Sequence, residues 1–197
     1  AQEESSLAMG NLAKATNTYA YAIGGNAQAK GRWSIAMGTN AVAEDDASVA
    51  IGTWSNATSG QSAAVGYQAK AKALGATALG RLTNVTAVDG TAIGSSTSVT
   101  GLNGTAIGNK ANVTVKNGVA IGNEANAKNE NAVAIGSGSE TATAVGTTSE
   151  TVNGEIHNFA GINPTSTVSV GKTGVERTIT NVAAGRLSAT STDAING

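Results

Sequence analysis

The chain has 197 residues, a formal net charge of −1, 26 glycines, 3% aromatic residues and no cysteine. So neutral a balance speaks against a nucleic-acid partner, which needs a basic surface, and no run of 18 apolar residues is present to cross a membrane as a helix. The apolar fraction is 40%, much of it alanine, so large side chains are too few to fill an ordinary globular core, and a thin fold in which small residues meet across a narrow gap fits better.

From the N-terminus onward one motif dominates. Ala-aliphatic-Gly recurs with its glycine at Gly10, Gly24, Gly38, Gly52, Gly66, Gly80, Gly94, Gly108, Gly122 and Gly136, nine successive steps of 14 residues. A constant period in this range marks stacked supersecondary units. Before each glycine the pattern alternates with a period of two, which predicts a β-strand. Alanine stands two positions before it throughout, from Ala8 to Ala134, and a small residue stands four before. The positions one and three before are mostly aliphatic or β-branched, as in Val49 and Ile51 or Val119 and Ile121. A second short strand follows, small at three and five after the glycine and mostly polar between, as in Ala69, Lys70 and Ala71. The glycine supplies the sharp turn, because φ > 0 costs it little. Each unit is therefore one coil of two short strands, and successive coils stack in parallel. Nine intervals at about 4.8 Å give a rod roughly 43 Å long.

The second strand turns a polar face outward, as a wall against water should. The first strand carries an aliphatic outer ladder of a length rare on soluble monomers. Burying each Ile or Leu stabilises by about 1.5–3 kcal/mol, so the ladder needs cover, and copies of the chain around a symmetry axis supply it. Ile23, Ile35, Met37, Val49, Ile51, Val65, Leu79, Ile93, Ile107, Ile121 and Ile135 are assigned to that interface. In the alternative arrangement the aliphatic face fills the roll and the alanine face lies outward, but isoleucine fits a flat two-strand roll poorly.

The period breaks after Gly136: Gly146 follows after 10 residues and Gly171 after 25. Residues 147–167, which hold His157, Phe159 and Pro164, read as an insertion before a final coil, Val168-Ser169-Val170-Gly171. Next come Glu176-Arg177-Thr178-Ile179-Thr180-Asn181-Val182-Ala183-Ala184-Gly185 and the closing Ser191-Thr192-Asp193-Ala194-Ile195-Asn196.

Ser48-Val49-Ala50-Ile51-Gly52, and with it Asn131-Ala132-Val133-Ala134-Ile135-Gly136, resembles the head repeat of the YadA-type trimeric autotransporter adhesins. The two C-terminal motifs resemble the neck of the same family. The resemblance covers nearly the whole chain. It implies an all-β fold, a left-handed parallel β-roll (solenoid) assembled as a homotrimer. It also implies a neck in which Arg177, Ile179, Asn181, Val182 and Asp193 belong to the motif, with the polar members tying chains together. The division expected is 1–146 for the head repeats, 147–171 for the insertion and final coil, and 172–197 for the neck. The resemblance further implies a bacterial cell surface and an outer-membrane anchor in a C-terminal domain beyond this stretch, which itself reads as an excised piece without membrane contact.

Few residues offer chemistry. His157 is the only histidine, and neither a hydrolase triad nor a zinc set assembles around it; there is no H-E-x-x-H. Glu44-Asp45-Asp46 lacks the spacing of a calcium loop and reads as a solvated turn. No phosphate-binding G-x-x-x-x-G-K-[ST] occurs, so no catalytic, cofactor or metal site is assigned. Arg32, Trp33 and Trp54 sit in turns and are the ligand-binding candidates, since exposed Trp and Arg are typical hot-spot residues; the alternative is that each tryptophan only covers its turn.

The function expected is attachment, with the head presenting a repetitive wall to host extracellular-matrix proteins or cells and to other bacteria through many non-covalent contacts. One alternative is a trimeric left-handed β-helix acyltransferase, whose hexapeptide period differs from the 14 found here. Others are a purely structural spacer of a surface fibre and an ice-binding face on Thr77, Thr91 and Thr105, which align over only three coils.

Overall fold

A computed structural model describes residues 3–186 and 188–194. Alternation decides the architecture. The three-residue strand before each motif glycine, from Leu7–Met9 through Val133–Ile135, pairs in parallel with its equivalent one coil on. The register is in step with the repeat, as in Val49↔Ala63, Ala50↔Ala64 and Ile51↔Val65. The shorter second strands, from Lys14–Ala15 to Asn126–Ala127, form a parallel nine-stranded sheet of their own. The two sheets lie face to face as the walls of a flat roll, joined in every coil by two tight turns. One turn follows the motif glycine (the glycine edge), and the other, such as Gly31-Arg32-Trp33, lies across the roll from it (the far edge).

The interior is almost wholly Ala, Ser, Thr and Gly. Ala22, Ala36, Ala50 and their equivalents as far as Ala134 point inward with no exposure and meet Ala29, Ala43 and Ala57 from the opposite wall. The alternative in which the aliphatic face fills the roll is thereby excluded. Inward hydroxyls find backbone acceptors, as buried polar groups must: Ser34 donates to the Gly31 carbonyl at 2.6 Å and Thr97 to that of Gly108 at 2.6 Å. The width of the gap is set coil by coil. Where Val85, Val99 and Val113 replace the inward alanine, Gly90, Gly104 and Gly118 replace the small residue opposite, and a Cβ on Gly118 would stand 2.9 Å from Val113 Cγ1.

At the glycine edge the coils approach backbone to backbone. Gly80 has φ +135°, and a Cβ there would lie 2.2 Å from the Gly94 carbonyl oxygen. The residue two beyond the motif glycine and its counterpart on the far edge are left-handed without being glycine, including Leu12, Tyr19, Trp33 and Trp54. Such a conformation costs about 1–2 kcal/mol for an L-residue. Beyond the first coil they are held by their amides, which donate to the preceding coil: Trp33 to Thr18 O at 3.2 Å, Trp54 to Thr39 O at 2.9 Å. Asparagines at these corners add side-chain ladders, Asn26 to Asn40 at 2.8 Å and Asn117 to Asn131 at 2.9 Å.

After the bridge from Asn126 to Glu140 the chain leaves the second sheet. It forms an antiparallel hairpin, Ser149–Val152 with Glu155–Asn158, around Asn153-Gly154, both at positive φ. It then returns as Val168–Ser169, which pairs with Val133 and Ala134. The described residues beyond Val175 run without regular structure.

The exchange of volume between facing positions is testable. Gly118→Ala should lower stability by about 1–3 kcal/mol through overpacking. Val113→Ala should cost less in that background than alone, giving a favourable coupling in a denaturation double-mutant cycle; additive effects would contradict the packing described.

Candidate functional site

Most of the large aliphatic side chains that the narrow interior refuses land on the outside of the first sheet, and the others, such as Leu12, Leu74 and Leu102, stand in the turns. Met37, Ile51, Leu79, Ile107, Ile121 and Ile135 are exposed, and Ile23, Ile35, Val49, Val65 and Ile93 are half-buried. They stand in register, Ile93 beside Ile107 beside Ile121 beside Ile135. All eleven positions assigned to an interface thus lie on one continuous face. Thr77, Thr91 and Thr105 occupy the same face in the middle of the rod.

The outer face of the second sheet differs in kind. It carries polar residues, with the Lys30–Glu44 pair at 3.1 Å and Lys128–Glu140 at 2.6 Å. At the far edge Arg32 is pinned: its Nε and Nη2 donate to Asp46 Oδ2 at 3.0 and 2.6 Å, and its guanidinium lies 5.0 Å from the Trp33 ring centroid. Hydrogen bonding to Asp46 raises the Arg32 pKa, and the same contact lowers that of Asp46. Trp54 lies on the opposite edge, so the structure does not bring the three ligand candidates together.

The neck residues divide. Arg177 folds back onto the last coil, where its guanidinium donates to Ser139 Oγ at 2.8 Å and to the carbonyls of Ser137 and Val170. In each earlier coil the carbonyl equivalent to Ser137 accepts an amide from the coil above, as Asn123 O does from Gly138 at 2.8 Å. Arg177 takes the place of that missing amide and closes the end of the ladder. Asp193 accepts from Arg186 Nε at 2.8 Å and Nη2 at 3.1 Å, a forked pair that holds its pKa below the usual carboxylate range. Asn181 is left-handed at φ 61°, Ile179 is exposed and Val182 half-buried. Ile195 and Asn196 of the closing motif lie outside the described residues.

His157 sits in the hairpin opposite Glu150. Among the described residues no group of three or more His, Cys, Asp or Glu could hold a metal, and no helix is long and apolar enough to cross a membrane. Sequence reasoning missed the hairpin, although Asn-Gly is its usual signal, and it missed Arg186, which is seven residues from its partner with no local pattern to announce it.

The model of the YadA head domain repeat matches residues 1–27, 15–32, 29–53, 57–83, 86–111 and 116–139. Autotransporter adhesin BtaE of Brucella suis biovar 1 (strain 1330) is 59% identical over 61 residues, 31% of this chain and 8% of that protein, so the chain spans less than a tenth of that curated relative. The crystal structure of the collagen-binding domain of the Yersinia adhesin YadA is similar with a TM-score of 0.68 and 30% identity, over 99% of this chain and 94% of that one. The C-terminal YadA-like domain of a Burkholderia pseudomallei protein is 59% identical over 43% of this chain and 40% of its own, with a TM-score of 0.42.

The Arg186–Asp193 fork gives a titration prediction. A carboxylate whose folded pKa is depressed stabilises above its unfolded pKa and loses that contribution as pH falls through the folded value. By carboxyl NMR, Asp193 should titrate below the ordinary aspartate range and return to it in Arg186→Ala; an unshifted Asp193 in the unmodified protein would refute the fork.

Proposed function

Because the chain belongs to the YadA head family, we propose that it is the head of a cell-surface adhesin that attaches its cell to host matrix proteins or to other cells. The role is binding and display, with no covalent chemistry. The chain acts as a trimer, with the aliphatic ladder of the first sheet on the shared axis and the polar wall of the second sheet facing outward. Residues 1–146 form the repeat region, 147–171 the insertion and last coil, and 172–197 the neck, which leads toward a stalk and an outer-membrane anchor elsewhere in the protein.

The observation that carries this reading is the continuous aliphatic ladder, exposed or half-buried along its length, beside a fully occupied interior. A lone chain would leave that stripe in water. Three copies cover it, and they present three identical walls whose weak contacts multiply through effective concentration. The collagen-binding title belongs to the YadA domain; for this chain it makes a fibrous matrix protein the first ligand to try. The acyltransferase alternative has no support from family membership or from the place of His157 in the hairpin, away from the coils.

The test is the solution mass of residues 1–197 by light scattering, with Ile107→Asp in parallel. A trimer that the aspartate disrupts is expected. Binding to a collagen-coated surface should then weaken by about 10²-fold or more as avidity is lost. A stable monomer, or a trimer indifferent to the substitution, would overturn the placement of the ladder on the axis.

A further inference from the structure

The dipeptide Asn-Gly occurs three times, at Asn103-Gly104, Asn117-Gly118 and Asn153-Gly154. In all three the asparagine is left-handed, with φ of 55°, 53° and 53°. The first two close far-edge turns of the roll, and both members of each pair are engaged. Asn103 Nδ2 donates to Asn117 Oδ1 at 3.2 Å, and Asn117 Nδ2 to Asn131 Oδ1 at 2.9 Å. The asparagine amides donate to the coil before, to Val88 O at 3.1 Å and Leu102 O at 2.8 Å. The glycine amides donate within their own turns, to Gly101 O at 3.0 Å and Val115 O at 3.4 Å. Both glycines are buried, and a Cβ on Gly104 or Gly118 would stand 2.8 or 2.9 Å from Val113 Cγ1. The third pair forms the turn of the hairpin. Asn153 and Gly154 are exposed, and nothing lies within 4 Å of a Cβ placed on Gly154. Among the described residues neither the Asn153 carboxamide nor the Gly154 amide has a hydrogen-bond partner.

The difference bears on a reaction that asparagine followed by glycine undergoes in water without an enzyme. The glycine amide nitrogen, after losing its proton to hydroxide, attacks the asparagine Cγ. The new N–Cγ bond forms as the Cγ–Nδ2 bond breaks, and Nδ2 takes a proton from water and leaves as ammonia. Water then opens the cyclic imide at either carbonyl, giving aspartate or an isoaspartate whose backbone runs through Cβ and Cγ. Ring closure needs a glycine nitrogen free of its acceptor and an asparagine free to turn about ψ. In the roll the stacked coils hold both groups, and at Asn153 nothing does. We infer that Asn153 is a site of spontaneous deamidation, and that the coil-to-coil asparagine ladder shields the same dipeptide at Asn103 and Asn117. Isoaspartate lengthens the backbone between Val152 and Glu155, which pair across the turn, and adds a carboxylate close to Glu155. The eight strand residues of the hairpin are exposed apart from half-buried Ser149, and a two-stranded hairpin without other support is marginal in water. The modification therefore unzips the insertion and leaves the roll whole.

The test is incubation of the 197-residue chain at mildly alkaline pH, folded and in denaturant, followed by peptide mapping by mass spectrometry for the exchange of NH2 for OH. In the folded protein Asn153 should react at least about 10-fold faster than Asn103 and Asn117, which react only through local opening. In denaturant the three should react at comparable rates. Comparable rates in the folded protein, an unreacted Asn153, or the same preference with and without denaturant would overturn the assignment. The consequence is read by NMR on the deamidated fraction, separated by anion exchange. Contacts between Thr151 and Ile156 should be lost while the amides of the roll keep their shifts, and a hairpin that persists would overturn the unzipping.

Discussion

The rest of the structure depends on how closely two β-sheets are held together. From Gly10 to Gly122 each coil turns back on itself through a glycine whose Cβ position is taken by the next coil's backbone, at 2.2–2.8 Å along the column. The sheets so joined leave room for one layer of Ala, Ser, Thr or Gly between them, with valine admitted only where glycine faces it. Burial therefore goes to small side chains, each contributing little, and the backbone ladders supply much of the order.

That constraint sorts the large residues. With no space inside, every Ile, Leu, Met and Trp of the coils is placed on a face or an edge. The second sheet is polar outside and needs no partner, while the first is apolar outside and needs one. A fold too thin to bury its own large side chains thus specifies association through them. The C-terminal end is treated differently: Arg177 supplies donors to carbonyls that would otherwise await another coil, so the roll is closed there against further stacking.

The repeat, the parallel pairing and the inward alanines were legible in the sequence because a period of 14 and an alternation of two leave no other register. The ladder was legible for the same reason, since Val49, Ala50 and Ile51 must point to alternate sides. What was not legible depends on long-range geometry or on conformations the residue type does not advertise. Trp33 and Trp54 take left-handed backbone that aromatic residues avoid, and only the coil-to-coil amide bonds explain it. Arg177 reaches back some forty residues to Ser137, and nothing in its local motif announces that. The hairpin at Asn153-Gly154 was readable from its turn pair and was passed over because it interrupts the repeat.

The account's central claim is that burial of the large side chains happens between chains and not within one. The most direct measurement is thermal unfolding across a wide range of protein concentration. Folding coupled to association makes the midpoint rise with concentration, and the account predicts that rise, together with a single transition that includes both sheets. A midpoint independent of dilution, with the chain folded and monomeric at the lowest concentration, would contradict it.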